Sequence, residues 1–323
     1  MKTRILFRMT LLAAAITFTV VACKKDSSNT SSNGATSASD VQTAADDQTM
    51  VSNQNDALSD DATAALNSNA SISGGAAYEA PSSKSGSNTL GASIVLKTFC
   101  GATITVDTAN GSKVVTITYN GDDCLGRFTK TGSIVITLSN NGHWRDTGAT
   151  ASIAVNQLTI TRKSDGKSIV FNGTKSITNT SGGLLLDLAT VDSIVHDYAA
   201  NLSITYPNGQ TKSWTAQKHH VFTYSGGLVE TSTGGVSGTS RYGVAYTVTI
   251  TQPKVVDQTC DFNLVSGQDS TSRADNITAT VTYGLTSTGA AQTSCPLPSG
   301  WLYAELVWTN HNNGKQYTYI FPY

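Results

Sequence analysis

Charge is scarce in this chain. Charged residues make up 13% of its 323 positions, and 21 Lys and Arg nearly balance 22 Asp and Glu. No basic face can be assembled from so few dispersed cations, which excludes a nucleic-acid partner. Glutamate is scarcer still, with only Glu79, Glu230 and Glu305. A glycosidase needs two carboxylates flanking the scissile bond; Asp could serve, but no spacing singles out a pair. Long apolar runs are absent too. The longest, Leu11 to Val21, is about half of the roughly 20 residues that cross a bilayer as a helix. GxSxG, HExxH, P-loop and EF-hand patterns are missing, so the common hydrolase, nucleotide and calcium chemistries are not announced. There is no CxxC, and no His lies at ligand spacing from a Cys, so neither a metal site nor a cofactor is expected.

What is present is alternation. Ile104 and Val106, then Val115, Ile117 and Tyr119, then Ile134, Ile136 and Leu138 set apolar side chains on one face and Ser or Thr on the other, the period of a strand with one dry side. Ile153 to Ile160 and Ile169 to Phe171 flank Asp165-Gly166, and Leu202 to Tyr206 and Lys212 to Tyr224 flank Asn208-Gly209; both dipeptides signal hairpins. Further strands read from Val244 to Thr251, Ile277 to Tyr283, Trp301 to Trp308 and Gln316 to Phe321. Twenty-eight Gly against six Pro suit many tight turns. No amphipathic helix separates the strands after Gly91, which rules out βαβ units. The expected fold is all-β: an antiparallel many-stranded sandwich or a long curled meander over 91–323. The Gly-rich passage 231–239 is the expected seam if there are two subdomains, and Leu184 to Ala200 is read as strand.

The N-terminus differs. Lys2, Arg4 and Arg8, the apolar run and small Ala22 read as a signal peptide over 1–22. Val20-Val21-Ala22-Cys23 resembles the lipobox of bacterial lipoproteins, which implies lipidation of Cys23. Residues 23–90, rich in Ser, Asn, Ala, Asp and Gly, are expected to form a low-complexity tether. Within it, 40–66 lacks Gly and Pro and allows a short helix whose stripe is Val41, Ala44, Val51, Leu58, Ala62 and Leu66, with Asp46, Asp47, Asp56, Asp60 and Asp61 as a solvated face. After Cys23, the cysteines Cys100, Cys124, Cys260 and Cys295 form an even set in an exported chain. Of three pairings, Cys100 with Cys124 and Cys260 with Cys295 is preferred because each pair flanks hairpin-like sequence.

The run from Ile104 and Asp107 through Ile117, Cys124, Arg127, Gly132 and Ile134-Val135-Ile136-Thr137, with Arg145-Asp146-Thr147-Gly148 and Asn172-Gly173-Thr174-Lys175, resembles uncharacterised β-rich lipoproteins of the Bacteroidota, which also carry Cys-Lys-Lys-Asp after the signal, as at Cys23 to Asp26. The resemblance covers Thr103 to Gly183 and, loosely, the part from Cys295. It implies a fold and an outer-membrane address, periplasmic or surface-facing, and no activity. Asp107-Thr108-Ala109, Asp192-Ser193-Ile194 and Asp269-Ser270-Thr271 look like O-glycosylation acceptors of that phylum, making Thr108, Ser193 and Ser270 candidates.

Other residues invite chemistry. His219 and His220 are tempting metal ligands, but on a strand they point to opposite faces, one packed and one solvated. Asp122-Asp123 beside Cys124 offers calcium-like oxygens, though Asn-Gly-Asp-Asp is also ordinary turn sequence. Trp144, in a turn beside Arg145, is a candidate for stacking on a sugar or for packing over a hairpin. Trp301, Tyr303 and Glu305 share one strand face, an aromatic platform. Tyr317, Tyr319, Phe321 and Tyr323 form a one-sided stripe, read as a last strand packed on the core in preference to a membrane barrel. The expected function is that of a lipid-anchored cell-envelope protein, non-enzymatic, structural or ligand-binding. Its partners would be the membrane through the lipid, and a glycan or envelope component. A carbohydrate-binding or adhesive surface module is the alternative, and an unrecognised hydrolase the third.

Overall fold

The computed structural model describes residues 38–75, 99–111, 113–139, 142–295 and 302–323. Residues 1–22, Cys23 and Trp301 lie outside them. A long helix, α1 (Ala38–Ser68), and a single turn, α2 (Ala70–Ser73), precede thirteen strands. These are β1 (Ala102–Asp107), β2 (Val114–Asp122), β3 (Phe128–Leu138), β4 (Ala149–Arg162), β5 (Ser168–Asn179), β6 (Ile194–Thr205), β7 (Thr211–Tyr224), β8 (Leu228–Thr239), β9 (Ala245–Asp257), β10 (Asn263–Arg273), β11 (Ile277–Leu285), β12 (Tyr303–Asn310) and β13 (Lys315–Pro322). They pair antiparallel in strict sequence order in one open sheet. This is the meander, not the sandwich.

Alternation decides which face of the sheet is dry. Along β7, Lys212, Trp214, Ala216, Lys218, His220 and Phe222 are buried, while Thr211, Ser213, Thr215, Gln217 and His219 are exposed. The buried face wraps α1. Asp61 of the helix meets Tyr119 of β2 and Lys130 of β3, Ser59 meets Lys175 of β5, Thr63 meets Tyr198 of β6, Asp56 meets Lys218 of β7, and Ser52 meets Lys254 of β9. Contacts to so many strands from one helix require the sheet to curl around it. Arg127, between β2 and β3, accordingly reaches Asn263 at the start of β10 at 3.1 Å.

The curl has a local cause. Gly173 on β5 (φ 133°) and Gly234 on β8 (φ 110°) sit beside breaks in register with the neighbouring strand. A Cβ at either would lie 2.3 Å from a carbonyl oxygen, of Asn201 or Gln217. Only glycine permits that approach, and such bulges bend a sheet and increase its twist. The passage 231–239 is therefore the bent part of β8 and not a seam between subdomains.

The helix overturns the reading of its segment as a solvated tether. Val51, Leu58, Ala62, Ala65 and Leu66 pack with Ile117, Ile134, Ile153, Leu158 and Phe171 in the main core, and Val41 and Ala45 pack with Ile277, Leu306 and Trp308. Asp47 and Asp61 are buried as well. The acidic face is not in water because the inner face of the sheet supplies it with cations. Leu184 to Ala200 also differs from expectation: Leu185–Ala189 forms a short 3-10 turn before β6 begins. Leu185 and Leu188 use that turn to cover Ile194 and Phe222, which an extended chain would not do.

The cysteines pair as expected, Cys100 with Cys124 and Cys260 with Cys295, each with Cα atoms 5.0 Å apart. Among the described residues no helix is long and apolar enough to cross a membrane.

Candidate functional site

Strand phase carries four ionisable or hydroxyl side chains into the shell at one level: Lys218 and His220 from β7, and Glu230 and Ser232 from β8, all buried. The helix brings Asp56 and Asp60 to the same level, four residues and so one turn apart on one side. Lys218 Nζ donates to both oxygens of Asp56, at 2.5 and 2.7 Å. Although burial favours its neutral form, Lys218 and Lys254 hold the Asp56 carboxyl below the usual range. Next to Asp60, Asp61 accepts from Tyr119 Oη at 2.9 Å and Lys130 Nζ at 3.4 Å.

Glu230 has a different environment. It lines the same cavity wall as Asp60 of the helix. Burial pushes Glu230 up to about 7, and Asp56 adds to the shift, while Asp60, Ser232 and Lys218 oppose it. Its Oε1 also contacts His220 Nδ1 and accepts from Ser232 Oγ at 3.2 Å. Burial holds His220 down to about 3, so the ring is neutral where its Nδ1 faces Glu230. Beneath the helix, Lys175 Nζ donates to the Asn55 carbonyl at 2.6 Å and Ser59 Oγ at 2.7 Å, and burial lowers it to about 7.

A cavity of about 480 Å³ runs beside this cluster, within the range of small-molecule sites. One helical stripe lines it from Asp46 through Met50, Asn53 and Ala57 to Asp60, with Gln54, Asp56 and Asp61 at its margins; Glu230, Ser232, Lys254, Tyr119 and Lys130 form the sheet side. The rim holds the Cys100–Cys124 disulfide, Phe262, Arg127 and Tyr323. Its cations are engaged: Lys130 with Asp61, Arg162 with Asp46, and Lys254 with Asp269 at 2.8 Å. Gln54, only 6% exposed, has a buried Oε1 with no hydrogen-bond partner.

Ser232, His220 and Glu230 contain the residue types of a hydrolytic triad but not its relay. Ser232 Oγ lies 3.4 Å from His220 Nδ1, the nitrogen already facing Glu230. A nucleophile must face the ring nitrogen opposite the carboxylate if imidazole is to take its proton. The arrangement suits holding a proton or a donor group, not attack on a carbonyl.

Most residues singled out in the sequence lie elsewhere. Trp144 is fully buried: its backbone N–H donates to the Ile72 carbonyl at 2.9 Å, and its ring meets His196 edge-on at 5.1 Å. It closes the shell beside α2 and cannot stack on an external sugar, because Trp144 and Arg145 are held against α2 by backbone hydrogen bonds to Ile72 and Ser73. Tyr303 is half-buried on β12, paired in register with Pro322; the platform expected of it with Trp301 and Glu305 lies partly outside the described residues. Phe321 is buried, Tyr317 and Tyr323 partly so, and Tyr319 is exposed. His220 is buried and His219 exposed, where it meets Asp197 at 2.7 Å. Asp123 Oδ1 accepts from the N–H groups of Arg127 and Phe128 and Asp122 meets Lys163, which is turn chemistry. Thr108 is exposed, whereas Ser193 and Ser270 are half-buried.

Asp60, Glu230 and Gln54 were missed. Asp60 sat in a segment read as solvated, and 170 residues separate it from Glu230. One signal was available: Lys175, Lys218, His220 and Glu230 fall in phase with Phe171, Trp214, Phe222 and Leu228, and a charge on the dry side of a strand must have a buried partner. No family model matches the chain, and neither curated proteins nor solved structures include a match to it.

Proposed function

We propose that this is a lipid-anchored cell-envelope protein that holds a small polar ligand between α1 and the curled sheet without transforming it. The observation that carries this reading is the 480 Å³ cavity with Gln54, Asp60 and Glu230 in its wall. Those groups are set on a helix and a strand, with the Cys100–Cys124 disulfide beside the cavity, and sites built on regular elements hold their geometry better than loop sites. The signal-like start, Cys23 and the resemblance to Bacteroidota β-lipoproteins support an outer-membrane anchor. The adhesive alternative loses its principal ring to the core.

Two measurements test the reading. Labelled palmitate should enter the wild type and not Cys23→Ala, whose membrane fraction should fall; equal partitioning of the two would refute the anchor. A thermal-shift screen of cationic, anionic and neutral small molecules should raise the Tm with at least one class, and Ala57→Trp, which fills the slot, should abolish that rise. Uniform silence across all three classes would leave a purely structural role.

A further inference from the structure

We propose that the cavity beside α1 binds an uncharged saccharide, its hydroxyls held by an open stripe of the helix and its C–H face by aromatic rings at the mouth. This rests on the ligand-binding reading above and names the ligand's chemistry.

The helix supplies the polar side. Between Val51 and Ala62 every residue is buried except Asn53, Asp56, Ala57 and Asp60. Those four recur at i, i+3, i+4 and i+7, a single stripe about 10 Å long, and all four line the cavity. An otherwise sealed helix is open along one line, and that line is polar. Among the described residues no hydrogen bond engages the Asn53 side chain, so its amide offers both donors and an acceptor to a ligand. Each Asp56 oxygen accepts from Lys218 Nζ and keeps a second lone pair for a hydroxyl donor.

The mouth supplies the apolar side. Phe99, Phe128 and Phe262 line the cavity from three separate parts of the chain, and each packs on the core while keeping accessible surface. Tyr323 joins them, its ring fixed because Oη donates to the Leu264 carbonyl at 2.7 Å and accepts from the Gly284 N–H at 3.0 Å. Phe262 sits at φ 56°, a left-handed conformation that bulky residues rarely adopt. The fold holds this ring at the mouth against its backbone preference, as functional sites do. Flat rings opposite a few fixed polar groups suit a ligand with an apolar face and a hydroxyl edge.

Charge decides between a saccharide and an ion. In the wall, Lys130 is matched by Asp61, Arg162 by Asp46, Asp56 by Lys218 and Lys254 by Asp269. Arg127 donates to Asn263 at 3.1 Å, and Glu230 meets His220 and Ser232. An ionic ligand would take one member of a buried pair and strand the other. A hydroxyl asks for no such exchange, and several hydroxyls on one rigid ring match several fixed acceptors. A neutral nucleoside also stacks on rings, but its base carries fewer donors for the carboxylates.

The test is calorimetric titration of the purified full chain with cellobiose, maltose, lactose and diacetylchitobiose, with spermidine, citrate and adenosine as cationic, anionic and neutral non-saccharide controls. At least one saccharide should bind at a single site, with an affinity that changes less than about twofold between low and high salt, because no ion pair is made. Asn53→Ala and Phe262→Ala should each weaken it about tenfold, Phe262→Tyr should bind as the wild type does, and Ala57→Trp should abolish binding. Near-UV circular dichroism checks that the variants fold; should Ala57→Trp fail it, Asn53→Ala and Phe262→Ala decide. Saccharide binding unchanged in both of those variants overturns the proposal. So does an absence of saccharide binding when spermidine, citrate or adenosine binds in a manner blocked by Ala57→Trp or weakened by Asn53→Ala; in that case the ligand-binding reading stands. If nothing binds, both fall.

Discussion

His196 makes stability at mild acidity predictable. It is fully buried among Trp144, Tyr198 and Phe222, with no carboxylate in contact and its Nε2 unpartnered. Burial, with His220 adding to it, pushes it from 6.5 down to about 3. Below pH 6.5 the unfolded chain takes up a proton that the fold refuses, so stability falls by about 1.4 kcal/mol per pH unit. Between pH 6.5 and 5 that is about 2 kcal/mol for His196 and about the same for His220, which is shifted equally. Glu230 opposes them. Its folded value of about 7 exceeds its ordinary 4.5, so the fold binds that proton first and gains about 2 kcal/mol over the same window. The raised Asp47 acts in the same sense as Glu230 and cancels in a comparison of variants. His196→Phe retains a ring among the aromatics and deletes one titration. Urea denaturation with disulfides intact, at pH 6.5 and 5, should show the variant losing about 2 kcal/mol less than the wild type. Equal losses would refute the argument.

Four further outcomes follow from named contacts. Asp61→Ala leaves Lys130 buried without its carboxylate and should cost about 3 to 5 kcal/mol, whereas Asp61→Leu with Lys130→Met should recover most of it; denaturant midpoints of the three proteins decide. Gly173→Ala drives a Cβ to 2.3 Å from the Asn201 carbonyl and should cost about 3 kcal/mol or more, while Gly166→Ala, in an open turn with nothing within 4 Å, should cost about 1 to 2; equal thermal losses would contradict the bulge argument. Replacing Cys100 and Cys124 by Ser frees a loop closed over 24 residues and should lower stability by about 3 kcal/mol, read by urea denaturation. Deleting residues 38–75 should abolish cooperative unfolding measured by near-UV circular dichroism, because buried lysines of the sheet lose their counter-charges. A deletion protein with a native-like transition would show that the sheet stands alone.

Much of the sheet was legible because alternation is a local signal. Asp165-Gly166 and Asn208-Gly209 do connect β4 to β5 and β6 to β7, and the cysteines joined as nearest neighbours because each pair brackets consecutive strands. The curl was not legible. Gly132, Gly173 and Gly234 all have positive φ inside strands, but a glycine in an alternating run does not announce on its own which carbonyl it will approach. The inner cluster was harder still. Lys218 and His220 break the apolar phase of β7 visibly, yet the partner of Lys218, Asp56, lies 162 residues away in a segment whose composition resembles a spacer.

That segment shows why composition misled. Residues 38–68 contain six Asp and no Lys or Arg, and judged alone such a helix belongs in water. The inner face of the sheet contributes Lys130, Lys175, Lys212, Lys218 and Lys254, all buried, and judged alone such a strand set is equally unfavourable. Neither pattern is stable separately, because a buried ion is tolerated only with a hydrogen-bonded partner. Lys212 meets Gln48, Lys218 meets Asp56, Lys254 meets Ser52, and Arg162 and Lys167 meet Asp46. These contacts fix the rotation and register of α1 more narrowly than Ala, Leu and Val could, since a slip of one residue would turn each Asp away from its cation by about 100°. The same fixing places Asp60 in the cavity wall that Glu230 also lines, on a helix whose orientation the neighbouring ion pairs have already set.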